Sequence, residues 1–265
     1  IGNTYLELKQ FLEDTNEVLL KENIPVIIKL ENKNMNNFVK KNITMLADHL
    51  YFLAMKSTME YMCKNIPNCK FAYTQTNEIY LLFTNFVWFN RNIQNIISKA
   101  TSMATLHFNR KLRNLVNKEK NTWFSYRELE LDDIMNEVFF TCKAFNLYKD
   151  EVCNYFILKQ ETSLQKGIIK YGNKFFDNTY FENYELETVN DRDKFLKLIN
   201  NEEKIISYNN LALYYFKGFG IYITVKFDGD DYDKLTLVEY ATDNNLPLFK
   251  NNREFIDKFV ISNRK

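Results

Sequence analysis

The stretch Tyr73-Thr74-Gln75-Thr76-Asn77-Glu78-Ile79-Tyr80 predicts a tight β-hairpin with a polar tip. An apolar, β-prone run lies on each side of that tip, Cys69-Lys70-Phe71-Ala72-Tyr73 before it and Ile79-Tyr80-Leu81-Leu82-Phe83 after it. Aromatic and branched side chains in such runs favour strands. The two runs are therefore predicted to pair antiparallel, with the polar residues Thr76, Asn77 and Glu78 at the turn.

Strand and helix patterns alternate around the hairpin. The near-continuous apolar run Pro25–Leu30 suits a strand buried on both faces. A helix is predicted from Thr44, as its N-cap, to about Lys64, and another over Asn90–Val116, before a strand at Val138–Phe145. The order is β-α-β-β-α-β. It predicts an α+β fold of the ferredoxin-like or polymerase-palm type, an antiparallel sheet with two helices on one face.

Further elements flank this unit. Three more helices are predicted, at Asn3–Glu22, Asp150–Tyr171 and Arg192–Asn201. Two more strands are predicted, at Lys217–Phe227 and Leu235–Tyr240. An acidic turn at Asp228–Asp231 is expected to join the last two strands. We therefore predict a palm-like domain over residues 1–175 and a smaller α/β extension over 176–265 that packs on it as part of one globular unit.

Charge and cysteine usage exclude several classes of protein. Lys and Arg number 35 and Asp and Glu 34, so nucleic-acid binding would need a local basic patch. The four cysteines form no CxxC pair, which argues against zinc and fits a reduced, intracellular protein. No apolar run reaches membrane-spanning length, and Ile1-Gly2-Asn3 starts no apolar signal core. We expect a soluble cytoplasmic protein without a membrane partner.

Several segments, in order and spacing, resemble the tRNA-His guanylyltransferase-like family of 3′-to-5′ polymerases, especially its bacterial and phage members. The strand Pro25–Lys33 resembles the family's P-V-I-I-R-L-D-G-K segment, and the hairpin Tyr73–Ile79 resembles its Y-T-Q-S-D-E-I segment. Similar stretches are Ser57–Cys63, Asn92–Gln94, Ala100–Thr105, Glu151–Ile157 and Leu246–Phe249. The resemblance runs nearly end to end and implies enzymes that add nucleotides to RNA 5′ ends.

The resemblance implies a two-magnesium site at the strand end and the hairpin tip. The family's two aspartates correspond to Glu31 and Asn77. The glycine that lends a carbonyl to a metal corresponds to Asn32, whose carbonyl is expected to remain available. Glu78 is a possible compensating carboxylate, although strand alternation points it away from Asn77. Glu31, Asn77 and Glu78 are thus the candidate catalytic residues, and Glu31, Asn32 and Asn77 the candidate metal ligands for Mg²⁺.

The resemblance also supplies candidate binding residues for ATP or GTP and for tRNA or another RNA. Those for the nucleoside triphosphate are Lys29, Asn32, Lys33 and Thr76, with Lys40 or Lys41 in place of the family's triphosphate-binding lysine. Those for RNA are Arg110, Lys111, Arg113 and Lys159. A solvated helix end is the alternative reading of the basic run on Arg110–Arg113. His49 and His107 are expected to be structural or surface residues.

Family positions that build the scaffold are kept, whereas positions that carry chemistry differ. Besides Glu31 and Asn77, Lys29 stands where the family has arginine, and Thr162 where it has an acidic residue. The preferred hypothesis is a protein that binds nucleotide, tRNA or both, with nucleotidyl addition lost or reduced. An active polymerase with relocated ligands and a structural subunit of a larger assembly are the alternatives. Because relatives form tetramers, we expect a homo-oligomer or a hetero-oligomer with a paralogue.

Overall fold

The computed structural model describes residues 17–33, 45–123, 138–175, 218–227, 235–243 and 246–260. Six strands and four α-helices lie in these ranges. The strands are β1 (Val26–Asn32), β2 (Cys69–Gln75), β3 (Glu78–Phe83), β4 (Phe140–Asn146), β5 (Phe219–Phe227) and β6 (Leu235–Asp243). The helices are α1 (Met45–Asn65), α2 (Ile93–Trp123), α3 (Lys149–Phe175) and α4 (Glu254–Val260), with a short 3-10 segment at Trp88–Arg91.

The six strands form one antiparallel sheet in the order β4-β1-β3-β2-β5-β6. β1 lies between β3 and β4, and its last residues pair Glu31 with Glu78 on one side and with Thr141 on the other. β5 pairs with β2, with Phe71 opposite Tyr222, so the C-terminal strands extend the same sheet. The candidate residues of β1 and of the hairpin therefore meet at one end of the sheet's centre.

Strand alternation divides the buried side chains between the two faces of the sheet. On the first face Ile28, Leu30, Ile79 and Leu81 pack with residues of α1 and α2, including Met59 and Phe108. On the second face a separate aromatic core joins the sheet to α3 and α4 and contains Ile27, Phe71, Tyr73, Tyr80, Leu82, Phe156 and Phe249. The sheet is thus covered on both faces, and its near-continuous apolar strands are explained by this double burial.

The predicted α+β fold, with the βαββαβ order and α1 and α2 on one face, is confirmed. The predicted helix over Asn3–Glu22 is wrong at its end: residues 17–22 are not helical, and Leu19 forms an isolated bridge with Asn92. Val18 and Leu20 bond to main-chain groups of the segment after β3, which competes with helix formation there. The predicted helix Arg192–Asn201, the turn Asp228–Asp231 and residues 3–16 lie outside the described residues.

The segment before α2 contains a left-handed turn built without glycine. Phe89, Asn90 and Arg91 have φ of 49°, 49° and 66°. Non-glycine residues in this region are sterically disfavoured by about 1–2 kcal/mol each. Arg91 is held by Glu22 at 2.6 Å and by the carbonyl of Leu20 at 3.2 Å, which fixes the turn against the chain that precedes β1.

Among the helices of the described ranges, none is both long and apolar enough to cross a membrane.

Candidate functional site

The hairpin between β2 and β3 has a two-residue loop, Thr76 and Asn77, closed by the pair Gln75 and Glu78. Thr76 has φ of 44°, the positive value that mirror-image hairpin turns require of a loop residue. The hydroxyl of Thr74 donates to the carbonyl of Glu78 at 2.9 Å and fastens the loop from within the hairpin. The tip is thereby fixed in position beside the end of β1.

Two hydrogen bonds join the hairpin tip to the end of β1. The amide N–H of Asn32 donates to the carbonyl of Asn77 at 2.8 Å, and the side-chain Nδ2 of Asn77 donates to the carbonyl of Asn32 at 3.1 Å. The hydroxyl of Thr76 donates to Oδ1 of Asn77 at 3.3 Å and orients that amide. The Asn32 carbonyl, expected from the sequence to be available to a metal, therefore already accepts a hydrogen bond from the residue that replaces the second aspartate.

Two carboxylates and a lysine share the second face of the sheet, beside this junction. Glu31 and Glu78 are cross-strand partners and point to the same side. Lys29 lies between them: its Nζ forms an ion pair with Oε1 of Glu78 and lies 3.5 Å from Oε2 of Glu31. All three side chains are more than two-thirds buried. Glu78, rather than Asn77, is the acidic residue that accompanies Glu31.

The charges of this group stabilise one another against burial. Burial disfavours the ammonium of Lys29, but the hydrogen bond and charge of Glu78, with a smaller effect from Glu31, raise its pKa above the ordinary value. Burial likewise disfavours the Glu78 carboxylate, yet Lys29 and the Tyr80 hydroxyl lower its pKa. The pKa of Glu31 is lowered against burial by Lys33 first and then by Lys29. Lys29, Glu31 and Glu78 are therefore all ionised at neutral pH.

The sequence did not single out the aromatic residues that surround Glu78. The hydroxyl of Tyr80 donates to Oε2 of Glu78, and burial followed by the Glu78 charge raises the pKa of that phenol. Nζ of Lys159 lies 5.6 Å from the ring centroid of Tyr80 and 5.2 Å from that of Tyr155. The two-residue period of β3, which places residues 78 and 80 on one face, was the signal that linked Tyr80 to the site.

Lys33 completes the surroundings of Glu31. Its Nζ lies 2.8 Å from Oε1 of Glu31, while Lys29 faces the other carboxylate oxygen. Both oxygens thus have an ammonium partner. Within the described ranges no group of three or more His, Cys, Asp or Glu side chains could hold a metal ion. Because the Asn32 carbonyl accepts from the Asn77 amide and both oxygens of Glu31 face ammonium groups, the residues at this site do not fit the two-magnesium centre implied by the family resemblance.

The side chain of Asn32 lies on the first face of the sheet and is 1% exposed. Neither its Nδ2 nor its Oδ1 has a hydrogen-bond partner, which makes it one of few such groups in the described part of the chain. An unsatisfied buried amide costs about 1–3 kcal/mol. In the family that the sequence resembles this position is glycine, so this free-energy cost comes from the asparagine side chain of this sequence.

The candidate RNA-binding residues fall on two sides of the sheet. Arg110, Lys111 and Arg113 lie on α2, where the two arginines line an open groove of about 800 Å³ together with Asn109 and Thr105. Lys159 lies on α3, against the second face. The structure therefore brings the three residues of α2 together and separates Lys159 from them.

The remaining candidates are placed as follows. Lys40 and Lys41 lie outside the described residues. His107 stacks on Tyr61 with centroids 4.2 Å apart, and its Nε2 lies 3.1 Å from the hydroxyl of Ser57. Burial, then the charges of Lys111 and Arg110, lower the pKa of His107. His49 packs its ring at 5.9 Å from that of Phe52.

Comparisons with known proteins agree with the resemblance found in the sequence. Residues 5–147 match the model of the family described as tRNAHis guanylyltransferase. A bacterial tRNA(His) guanylyltransferase-like protein in complex with ATP has a similar structure, with a TM-score of 0.68 and 24% identity over 96% of this chain and 98% of that chain. A bacterial tRNA(His) guanylyltransferase-like protein in complex with GTP is also similar, with a TM-score of 0.65 and 21% identity over 97% of this chain and 99% of that chain.

The tRNA(His) guanylyltransferase of Saccharomyces cerevisiae is similar at lower identity, with a TM-score of 0.54 and 14% identity over 85% of this chain and 99% of that chain. No curated protein sequence matches the chain. At these identities the solved structures support the fold alone.

Proposed function

The chain belongs to the tRNAHis guanylyltransferase family, and we propose that it is a member that binds a nucleoside triphosphate, tRNA or both, with nucleotidyl addition lost or strongly reduced. Two structurally similar bacterial proteins carry ATP and GTP in their complexes, which supports retention of a triphosphate site on this fold. The proposal rests on two observations: β1 and the hairpin are retained, but the residues at their junction differ from the family's two aspartates.

The observation that carries the proposal is the hydrogen bond from Nδ2 of Asn77 to the carbonyl of Asn32. A carboxylate at position 77 would place a negatively charged oxygen against the carbonyl oxygen of Asn32. A cation would then be needed to hold the two oxygens together. An amide at the same position supplies its own donor, so the junction is stable without a cation. The substitution removes a negative charge and gives the Asn32 carbonyl a protein donor.

The electrostatics of Glu31 point in the same direction. At about 4 Å a unit charge pair is worth on the order of 4 kcal/mol at an effective dielectric of 20, and a dication roughly doubles that attraction. Loss of the aspartate at position 77 removes one such term. Lys29 and Lys33 oppose a dication at Glu31 by the same reasoning. Two-metal catalysis of phosphoryl transfer depends on those ions, so we expect a large loss of rate.

The proposed triphosphate-binding residues are Lys29, Asn32, Lys33 and Thr76, of which Lys33 is the exposed cation and Lys29 the buried counter-ion of Glu31 and Glu78. The proposed RNA contact is the α2 groove with its exposed arginines, Arg110 and Arg113. Cationic side chains along a helix bind phosphates without reading sequence.

One observation favours a role in a larger assembly as a second candidate function. Val18, Leu19, Val87 and Phe89 are 41–65% exposed and adjoin one another around the left-handed turn. Contiguous exposed apolar groups are typical of interaction surfaces. We propose that a second copy of the chain covers them. Light scattering on the parent and a Phe89→Ser variant tests this, and a monomeric parent would reject it.

The test of catalysis is an assay with magnesium, ATP, GTP and 5′-monophosphorylated tRNA, run beside Asn77→Asp. The proposal expects no addition by the parent protein above the level of a heat-treated control. Addition by the parent would reject the loss of activity and support an active polymerase with different metal ligands. Calorimetry with ATP and GTP tests binding separately. Absence of both triphosphate and tRNA binding would leave the assembly role.

A further inference from the structure

Two ammonium groups occupy the surroundings of Glu31 where the family resemblance implies divalent cations. Lys33 Nζ lies 2.8 Å from one carboxylate oxygen of Glu31, and Lys29 Nζ lies 3.5 Å from the other. Lys29 also pairs with Glu78. Two carboxylates and two ammonium groups balance, so the group carries no net charge that would attract a further cation.

The two lysines differ in what their surroundings allow them to do. The side chain of Lys29 is 17% exposed and is held between two carboxylates, which makes it a fixed counter-ion. The side chain of Lys33 is 44% exposed and has Glu31 as its ion-pair partner. It follows directly after β1, where its main-chain N–H donates to the carbonyl of Phe139 at 3.2 Å. The backbone of Lys33 is therefore fixed while its ammonium can exchange one anion for another.

We infer that Lys29 and Lys33 replace the divalent cations at this site, so that the chain binds a nucleoside triphosphate without Mg²⁺ and Lys33 contacts the phosphates. The inference rests on the proposed function, because it concerns how the same site holds its triphosphate. When Lys33 turns to a phosphate oxygen, Lys29 stays between Glu31 and Glu78 as their shared counter-ion. A lysine ammonium is a sufficient phosphate ligand as a point charge.

The hairpin junction agrees with this arrangement. The carbonyl of Asn32 accepts from the Asn77 amide, so the hairpin tip and β1 are joined by protein donors alone. A Mg²⁺ ion held by Glu31 and the Asn32 carbonyl would supply positive charge to the phosphates. Here the segments are already joined, and the phosphates need only cationic donors.

The test is calorimetric titration of the full chain with ATP and with GTP, once with excess magnesium and once with excess EDTA. We expect dissociation constants in the two buffers that agree within about threefold. Lys33→Ala should weaken binding at least tenfold in both, and Lys33→Arg should recover most of it. Lys250→Ala is the control, because Lys250 also forms a surface ion pair, with Glu161 at 3.1 Å, and it should bind as the parent does.

A second measurement reports on the metal directly. Electron paramagnetic resonance of Mn²⁺ mixed with the protein should show only free ion. Triphosphate binding that appears with magnesium and vanishes in EDTA would overturn the inference while leaving the proposed function intact, as would protein-bound Mn²⁺ without nucleotide. Absence of triphosphate binding in both buffers would reject the inference together with the nucleotide part of the proposed function.

Discussion

The side-chain amide of Asn77 lies with its Nδ2 3.1 Å from the carbonyl oxygen of Asn32, so the hairpin tip and the end of β1 are bonded through the residue that stands in place of an aspartate. The main-chain bond from Asn32 to Asn77 at 2.8 Å reinforces the contact. The junction is complete without a cation, and this relationship makes position 77 open to direct experiment.

Asn77→Asp should destabilise the protein in metal-free buffer by about 1–2 kcal/mol, because a donor is lost and a carboxylate then faces a carbonyl. Added Mg²⁺ should recover part of that loss in the variant and none in the parent. Urea unfolding with and without magnesium measures both effects. Asn77→Ser, which keeps a hydroxyl donor and adds no charge, is the control and should not respond to magnesium. Equal responses of parent and variant would contradict the structure.

Lys29→Met should cost about 3 kcal/mol of stability, because the buried carboxylate of Glu78 loses its counter-charge and Glu31 keeps only Lys33. The double variant Lys29→Met/Glu78→Gln should be more stable than the single variant, since the unpaired charge of Glu78 is removed while Glu31 keeps Lys33. Lys250→Met, which breaks an exposed pair, should cost at most about 1 kcal/mol. Chemical denaturation gives all three values. A Lys29→Met variant as stable as Lys250→Met would contradict the arrangement of the buried group.

Stability should fall in acid through Glu78 and Glu31. Both have a folded-state pKa below the ordinary value of 4.5. Their contribution is therefore present above pH 4.5 and is lost as the pH falls through the lower folded values. Unfolding free energies between pH 7 and pH 3 should fall less steeply for Glu78→Gln than for the parent. Glu151→Gln, at an exposed position of α3, should follow the parent.

The raised pKa of Lys29 acts at the opposite end of the pH range. Its contribution is fully present below its ordinary value of 10.5 and is lost as the pH rises through the higher folded value. The loss of stability in alkali should therefore be smaller in Lys29→Met than in the parent.

Asn32→Ala should raise the free energy of unfolding by about 1 kcal/mol, because it removes a buried amide whose nitrogen and oxygen both lack partners. For a chain of this size, a gain of that order raises Tm by about 2–4 °C. Calorimetric unfolding measures the shift. The main-chain bonds to Asn77 are kept in this variant, so a lower Tm would show that the amide has a partner in solution.

Asn90→Gly should stabilise the protein by about 0.5 kcal/mol, because glycine relieves the cost of a left-handed backbone in the turn before α2. The same change at Asn114, an exposed position in the interior of α2, should destabilise by a few tenths of a kcal/mol. The opposite signs of the two substitutions in thermal unfolding are the measurement. Two changes of the same sign would argue against the left-handed geometry.

The sheet and its central hairpin followed from the sequence because apolar runs and polar tips are local signals. The apolar runs Pro25–Leu30 and Ile79–Phe83 predicted strands, which the structure confirms at Val26–Asn32 and Glu78–Phe83. The end of the N-terminal helix was predicted wrongly, since its outcome depends on tertiary bonds. The main-chain hydrogen bond between Val18 and Ile93 joins residues far apart in the chain, and the amphipathic spacing of the N-terminal segment cannot predict it.

The site was predictable as a set of positions but not as a set of contacts. Spacing and resemblance identified Glu31, Asn77 and Glu78, and the structure brings all three to one end of the sheet. Which donor meets which oxygen depends on angles that the sequence does not encode locally. The occupation of the Asn32 carbonyl by Asn77 and the placing of Lys29 between two carboxylates are results of that kind.

The pairing of β5 with β2 has a consequence for synthesis of the chain. β2 ends at Gln75 and β5 begins at Phe219, so the ribosome must make the whole intervening stretch before β2 acquires its outer neighbour. At 5–20 residues per second this takes roughly seven to thirty seconds. During that interval the nascent polypeptide presents a bare strand edge next to Phe71 and Tyr73, which is a template for aggregation. Chaperone protection of β2 is therefore most valuable before the last strands emerge.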